Sequence, residues 1–155
     1  MLSRRADYGV RAMMDIAAQQ PSERMIVSEI AKRQDIPPAF LAKIMPLLAR
    51  AGLVRTSLGA TGGITLAASP KEISLLQIIE AIDGPFTLNL CSLNPSDCRQ
   101  YVTCAACQVW GKAQAQLNQT LAQTRLSELA SLAETAPTRR AGAGATRTSK
   151  PIHVR

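Results

Sequence analysis

Aromatic side chains are nearly missing from this chain: one Trp, two Tyr and two Phe make up 3% of its 155 residues. A core built without them draws on Leu, Ile, Ala, Val and Met, which favours helices over a β-sandwich. Histidine is scarcer still, with one copy, His153, near the last residue. The body of the chain thus lacks an imidazole for a histidine metal site or for general-base work. No obvious nucleophile–base pairing replaces it, so a conventional hydrolase is not expected. No apolar run approaches the roughly 20 residues of a membrane span, and no membrane partner is expected. The opening residues, Met1 to Arg5, are not followed by an apolar stretch and a small-residue cleavage site, so the expected compartment is the cytoplasm. Thiols stay reduced there, and clustered cysteines then point to metal ligation rather than disulfides.

Acidic residues are also few, 11 against 18 Lys and Arg. The excess is uneven: residues 1–55 carry +4, residues 56–135 carry −2 and residues 136–155 carry +5, within a net charge of +7. Positive charge sits where a polyanion would be met. The length suits one domain, or one domain with an extension.

The N-terminal third predicts a small helical reader. Ser3 caps a helix to about Gln19, with Asp7 at its favourable end and Tyr8, Ala12, Met13, Ile16 and Ala17 on one face. Met25 to Val27 predicts a short strand, and Ser28 is expected to cap a second helix over Glu29 to Gln34. The break Asp35-Ile36-Pro37-Pro38 leads into a third helix from Ala39 to Ala51. Pro38 suits its first turn, and Phe40, Leu41, Ile44, Leu47 and Leu48 are expected to point inward. Pro46 removes one hydrogen bond from that helix, and Gly52 stops it. Two β-like runs follow, Leu53 to Thr56 and Ile64 to Ala67, joined by the Gly-rich stretch Ser57 to Gly63. Helix-turn-helix plus hairpin is a winged helix, which places the second helix of the pair in the major groove of double-stranded DNA.

Ser74 caps a further helix with Leu75, Ile78, Ile79 and Ile82 at helical spacing, closed by Gly84 and Pro85. All four cysteines then fall in one segment: Cys91, Cys98, Cys104 and Cys107, with six, five and two residues between them. Four thiolates complete either a tetrahedral zinc site or an iron–sulfur cluster. The chemistry alone leaves zinc and iron–sulfur open.

These pieces, in this order, resemble the Rrf-type winged-helix transcriptional regulators, the family of IscR, NsrR and RirA. The resemblance is carried by Leu2-Ser3-Arg4-Arg5-Ala6-Asp7-Tyr8-Gly9-Val10-Arg11-Ala12, by Ser28-Glu29-Ile30-Ala31, and by Phe40-Leu41-Ala42-Lys43-Ile44. It continues through Ala49 to Val54, the wing Gly59-Ala60-Thr61-Gly62-Gly63 and the segment Ile73 to Pro85, and covers about residues 1–135. It implies a homodimer that binds DNA. It also implies an iron–sulfur cluster, 4Fe-4S or 2Fe-2S, on Cys91, Cys98 and Cys104. The fourth ligand varies in the family. In IscR-like members it is a His where this chain has Cys107, and in NsrR-like members an Asp where this chain has Asp7. Four cysteines are the expected set, with Asp7 as the alternative to Cys107. The DNA contacts it implies are Arg4, Arg5, Ser28, Lys32, Arg33, Pro38, Ala39, Lys43, Arg55, Ser57, Gly59, Thr61, Gly62 and Gly63.

The chain departs from the family where it would touch DNA. Leu58 stands where an Arg usually precedes the first wing glycine. Thr61 and Ile64 stand where Arg and an aromatic are common. Pro37, Ala39 and Ala42 replace hydroxyls and Glu or Gln. Binding weaker or more shape-based than the family norm follows.

From Val109 to about Thr124, Trp110, Ala113, Leu117 and Leu121 make one apolar seam, and Gln114, Gln116, Gln119 and Gln123 are expected on the other face. By resemblance this helix crosses its two-fold mate. A short helix over Ser127 to Ala133 follows, and residues 136–155 are expected to be a disordered basic tail. The predicted organisation is therefore mainly α: a winged-helix region over 1–85, a cysteine loop over 86–108, dimerisation and terminal helices over 109–135, and the tail. The expected function is a cluster-sensing transcription regulator. The alternatives are a zinc-stabilised regulator without sensing and a small iron–sulfur electron carrier or scaffold.

Overall fold

The computed structural model describes residues 2–19, 24–57, 62–89, 96 and 98–135. Its first helix, α1 (Arg4–Ala18), begins where the Ser3 hydroxyl accepts the Ala6 N–H at 3.1 Å, with Asp7 in the first turn. Its buried face is Ala6, Gly9, Ala12, Met13, Asp15 and Ile16. Gly9 is small for a reason: a Cβ there would strike Cδ1 of buried Ile82 on a later helix.

The second helix, α2 (Val27–Arg33), starts earlier than expected, and Ser28 is not its cap. The capping position is Ile26, with no side-chain hydrogen bond, and Ser28 lies exposed within the first turn. The expected strand over Met25 to Val27 shrinks to one bridge, Met25 with Ile64, closed by N–H···O bonds of 2.9 and 2.8 Å. The Ile26 carbonyl already accepts the N–H groups of Glu29 and Ile30, so the helix takes over at Val27.

Asp35 turns the chain at φ +50°, a left-handed position that Asp tolerates. The third helix, α3 (Pro38–Arg50), has Pro38 at its first position and runs through Pro46. It buries Leu41, Ile44, Met45 and Leu48. Phe40, expected inward, is 42% exposed. It lies one residue round from Leu41 and packs edge-on against Tyr8, centroids 5.8 Å apart, while Met45 fills the core. Gly52, at φ +72°, ends α3: its N–H reaches the Ala49 carbonyl and that of Leu53 reaches Leu48, both at 3.0 Å.

Strands β1 (Val54–Ser57) and β2 (Gly63–Leu66) pair antiparallel, with Val54 opposite Leu66 and Ser57 opposite Gly63. Helix α4 (Leu75–Asp83) opens on a reciprocal cap. The Ser74 hydroxyl accepts the Gln77 N–H at 3.2 Å, and the Gln77 side chain accepts the Ser74 N–H at 2.8 Å. The long helix α5 (Ala105–Gln123) leads into α6 (Leu126–Thr135), which packs back on α1. Leu126 is fully buried, and its N–H donates to Ile73 at 2.9 Å. One core thus joins α1, α3, α4, the hairpin and the start of α6. No described helix is long and apolar enough to cross a membrane.

On α5 one expectation fails. Gln114, assigned to the polar face, is buried at 9% exposure. The backbone before the cysteines lies across α5 at that level. Gln114 accepts the Leu88 N–H at 2.6 Å and donates to the Phe86 carbonyl at 2.9 Å.

Candidate nucleic-acid interface and thiol site

Helix α2, the turn at Asp35, α3 and the β1–β2 hairpin make a winged helix-turn-helix. The outer side of α3 presents Pro38, Ala39, Ala42, Lys43 and Pro46, all exposed. Between α3 and the hairpin lies an open cleft of about 900 Å³. Its walls include Ile26, which caps α2, Ser28 from α2, Ala42 and Pro46 from α3, and Thr56 and Gly63 from the hairpin. Ser28 on its wall is exposed, as are Lys32 of α2 and Arg55 of β1, which do not line it. Ser57 is tied to the hairpin: its hydroxyl accepts the Gly63 N–H at 3.2 Å and donates to the Gly63 carbonyl at 3.3 Å. Gly62 and Gly63 are half-buried, and Gly59 and Thr61 lie outside the described residues.

The other basic residues divide. Arg4 is exposed on α1, and Arg5 reaches Asp83 of α4 at 3.3 Å. Arg33 turns inward. Its Nε lies 3.1 Å from both oxygens of Asp15 and its Nη2 lies 2.7 Å from Oδ2, with Gln34 adding a bond of 3.0 Å to Oδ1. That clamp fastens the end of α2 to α1.

The Cys98, Cys104 and Cys107 thiols are half-buried, and Cys91 lies outside the described residues. Cys104 occupies the capping position of α5, and Cys107 lies one turn in, its N–H on the Cys104 carbonyl at 3.1 Å. The Cys104 sulfur does not close a full capping bond. Even so, the Cys107 N–H first, then the Cys107 thiol and the Ala106 N–H, favour its thiolate and hold its pKa below the ordinary thiol value. Soft sulfur donors in contact, one already biased to thiolate, fit a zinc or iron–sulfur centre. Among the described residues no three Cys, His, Asp or Glu side chains converge into a metal-sized cluster. Asp7 is exposed on α1, its carboxylate 3.9 Å from Arg11.

Comparison with known proteins places this architecture. A family profile described as "Rrf2: Iron-dependent Transcriptional regulator" matches residues 2–132. The chain belongs to the Rrf2 family. Protein rrf2 of Nitratidesulfovibrio vulgaris is 28% identical over 83% of this chain and 85% of its own length. A Mycobacterium tuberculosis protein named as an HTH-type transcriptional regulator is 33% identical over 83% of this chain and 80% of its own. CymR of B. subtilis, described as the global cysteine regulator, matches with a TM-score of 0.72 at 25% identity, covering 85% of this chain and 97% of that one. T. potens IscR matches with a TM-score of 0.68 at 25% identity, covering 92% and 93%. This Rrf2 chain is accordingly a DNA-binding transcriptional regulator and not an enzyme.

Two residues that fasten this chain's fold, Asp15 and Gln114, were not singled out from the sequence. Asp15 offered a faint signal, a carboxylate within the apolar face of α1. Gln114 offered none beyond its place among other glutamines.

Proposed function

We propose that this Rrf2 regulator works as a homodimer whose grip on DNA is set by an iron–sulfur centre in the cysteine segment. The ligand set we assign is Cys91, Cys98, Cys104 and Cys107, with Asp7 as the alternative to Cys107. The observation that carries the reading is the Cys104–Cys107 pair at the head of α5. Thiolate is the ligating form, and the local N–H groups already favour it. Such a centre, when bound, supplies a group that responds to iron supply, redox state or nitric oxide.

The chain's own part is mechanical. Gln114 holds residues 86–88 on α5, so the cysteine segment starts and ends on one helix. At its far end α5 is bonded to α4, Leu75 N–H to the Thr124 carbonyl at 3.0 Å. Helix α4 packs on both α1 and α3. A rearrangement of the cysteine segment therefore has a packed route to the reading helix. It switches binding only if the two states differ in DNA affinity. Exposed Val109 and Trp110 on α5 support a second copy as the helix's partner. The division we assign is reader 1–85, cysteine segment 86–108, and a dimerisation helix with a short terminal helix over 109–135.

Oxygen-free purification tests this. The expected product is brown, holds iron and acid-labile sulfide, and loses both in Cys104→Ala. Comparing Cys107→Ala with Asp7→Ala settles the fourth donor. Colourless, zinc-loaded protein with unchanged DNA binding would overturn the sensing role.

A further inference from the structure

We propose that the reading face recognises thymine-rich half-sites through the C5-methyl groups of thymine, a preference that rests on the DNA-binding reading of α3. Among the 13 residues of α3, only Lys43 and Arg50 carry a side-chain nitrogen or oxygen, and Arg50 is the last residue. The exposed surface is otherwise the rings of Pro38 and Pro46, the methyls of Ala39 and Ala42, and the edge of Phe40. No charged or amide side chain lines the cleft between α3 and the hairpin among the described residues; its polar side chains are hydroxyls.

Base-edge chemistry then selects the partner. In the major groove guanine is read by Arg or Lys, adenine by Asn or Gln, and cytosine by Asp or Glu. This face has one Lys and none of the others. Pressing proline and alanine against those edges strips water from polar atoms and returns nothing. Thymine alone presents a methyl there, and burying it against Ala42 or Pro46 offsets the desolvation of the adjacent O4 and of the paired adenine's edge.

Spacing sets the extent. Pro38, Ala42 and Pro46 recur every four residues on one face, about 6 Å apart at 1.5 Å per residue. Together they span about 12 Å, or three to four base steps at 3.4 Å per step. The recognised element is therefore a short thymine tract in each half-site. Lys43, beside the stripe, is placed for one guanine or phosphate at its edge. Any preference within the tract must come from methyls and groove shape.

The test alters DNA rather than protein. The full chain, both cluster-loaded and metal-free, selects sites from a random duplex pool. Binding to the selected duplex is then followed by fluorescence anisotropy across a salt series. Replacing the tract thymines with deoxyuridine removes only the methyls. The expected result is a selected tract of three or more thymines per half-site, and roughly a tenfold loss of affinity on replacement with the salt slope unchanged. A matching protein variant, Ala42→Gln, should move the preference toward adenine at one position. Selected sites without thymine tracts, or deoxyuridine duplexes bound within twofold, would overturn the methyl readout while leaving DNA binding intact. Absence of any salt-sensitive duplex binding would overturn the DNA-binding reading itself, and would reassign the apolar face to a protein partner.

Discussion

Asp15 shows how one buried charge holds the reader in place. Its carboxylate, 7% exposed, takes the Arg33 guanidinium on both oxygens and the Gln34 amide on one. Removing one partner of a buried pair strands the other, at about 3–5 kcal/mol when both are dry. Arg33 is 39% exposed, so solvent screens it and the cost is smaller. Asp15→Asn keeps the shape and loses the charge; urea titration should show a loss of about 2 kcal/mol. The double variant Asp15→Leu with Arg33→Met removes both polar groups and should recover most of it. If the double variant is as unstable as the sum of Asp15→Leu and Arg33→Met made singly, the clamp is not a coupled pair. Asp15 also locates α2 against α1, so Asp15→Asn should weaken DNA binding even well below its melting point.

Elements were legible in the sequence wherever their signals were local. Ser3 and its bonded N–H are three residues apart, the Ser74–Gln77 cap likewise, and Gly52 closes bonds to residues just before it. Stripes such as Ile78, Ile79 and Ile82 needed only the helical repeat. What escaped had distant causes. Ser28 lost its capping place because Met25 pairs with Ile64 across the fold. Phe40 turned outward because Tyr8 waits on another helix. Of the candidate site, the exposed residues of α3 were read directly, whereas the commitment of Arg33 to Asp15, 18 residues away, and the start of α5 at Ala105, which takes Cys107 out of the expected loop, were not. Gln114 is the clearest case, since its partners Leu88 and Phe86 lie 26 and 28 residues back. Its bonds pin the entry of the cysteine segment to the helix that forms its exit. Gln114→Leu would strand the Leu88 N–H and the Phe86 carbonyl, at about 1–3 kcal/mol. The expected outcomes are faster amide exchange at Leu88 and, in cluster-loaded protein, faster iron loss to a chelator. Unchanged exchange at Leu88 would refute the latch.

For the whole molecule, the proposed dimer is what turns a reader with few cations on its reading helix into a regulator. Among the described residues, Lys43 and the terminal Arg50 are the only cations on α3 of one protomer. Joining two protomers makes the second half-site encounter intramolecular, at millimolar effective concentration, and lifts overall affinity by about 10²–10⁴ without a new contact. The residues that would join them are exposed on α5: Val109 at 66% and Trp110, the chain's only tryptophan, at 46%. Val109→Glu places a charge beside Trp110 on the exposed side of α5 without touching the core, so helix content should stay constant. The halved mass should appear in sedimentation, Trp110 emission should move to the red as its ring meets water, and affinity for a two-half-site duplex should fall at least a hundredfold. Binding to a single half-site should be unchanged, because α3 and its wing are untouched. If Val109→Glu keeps the parent's mass and emission, α5 is not the joint, and the route from the cysteine segment to paired reading helices must run elsewhere.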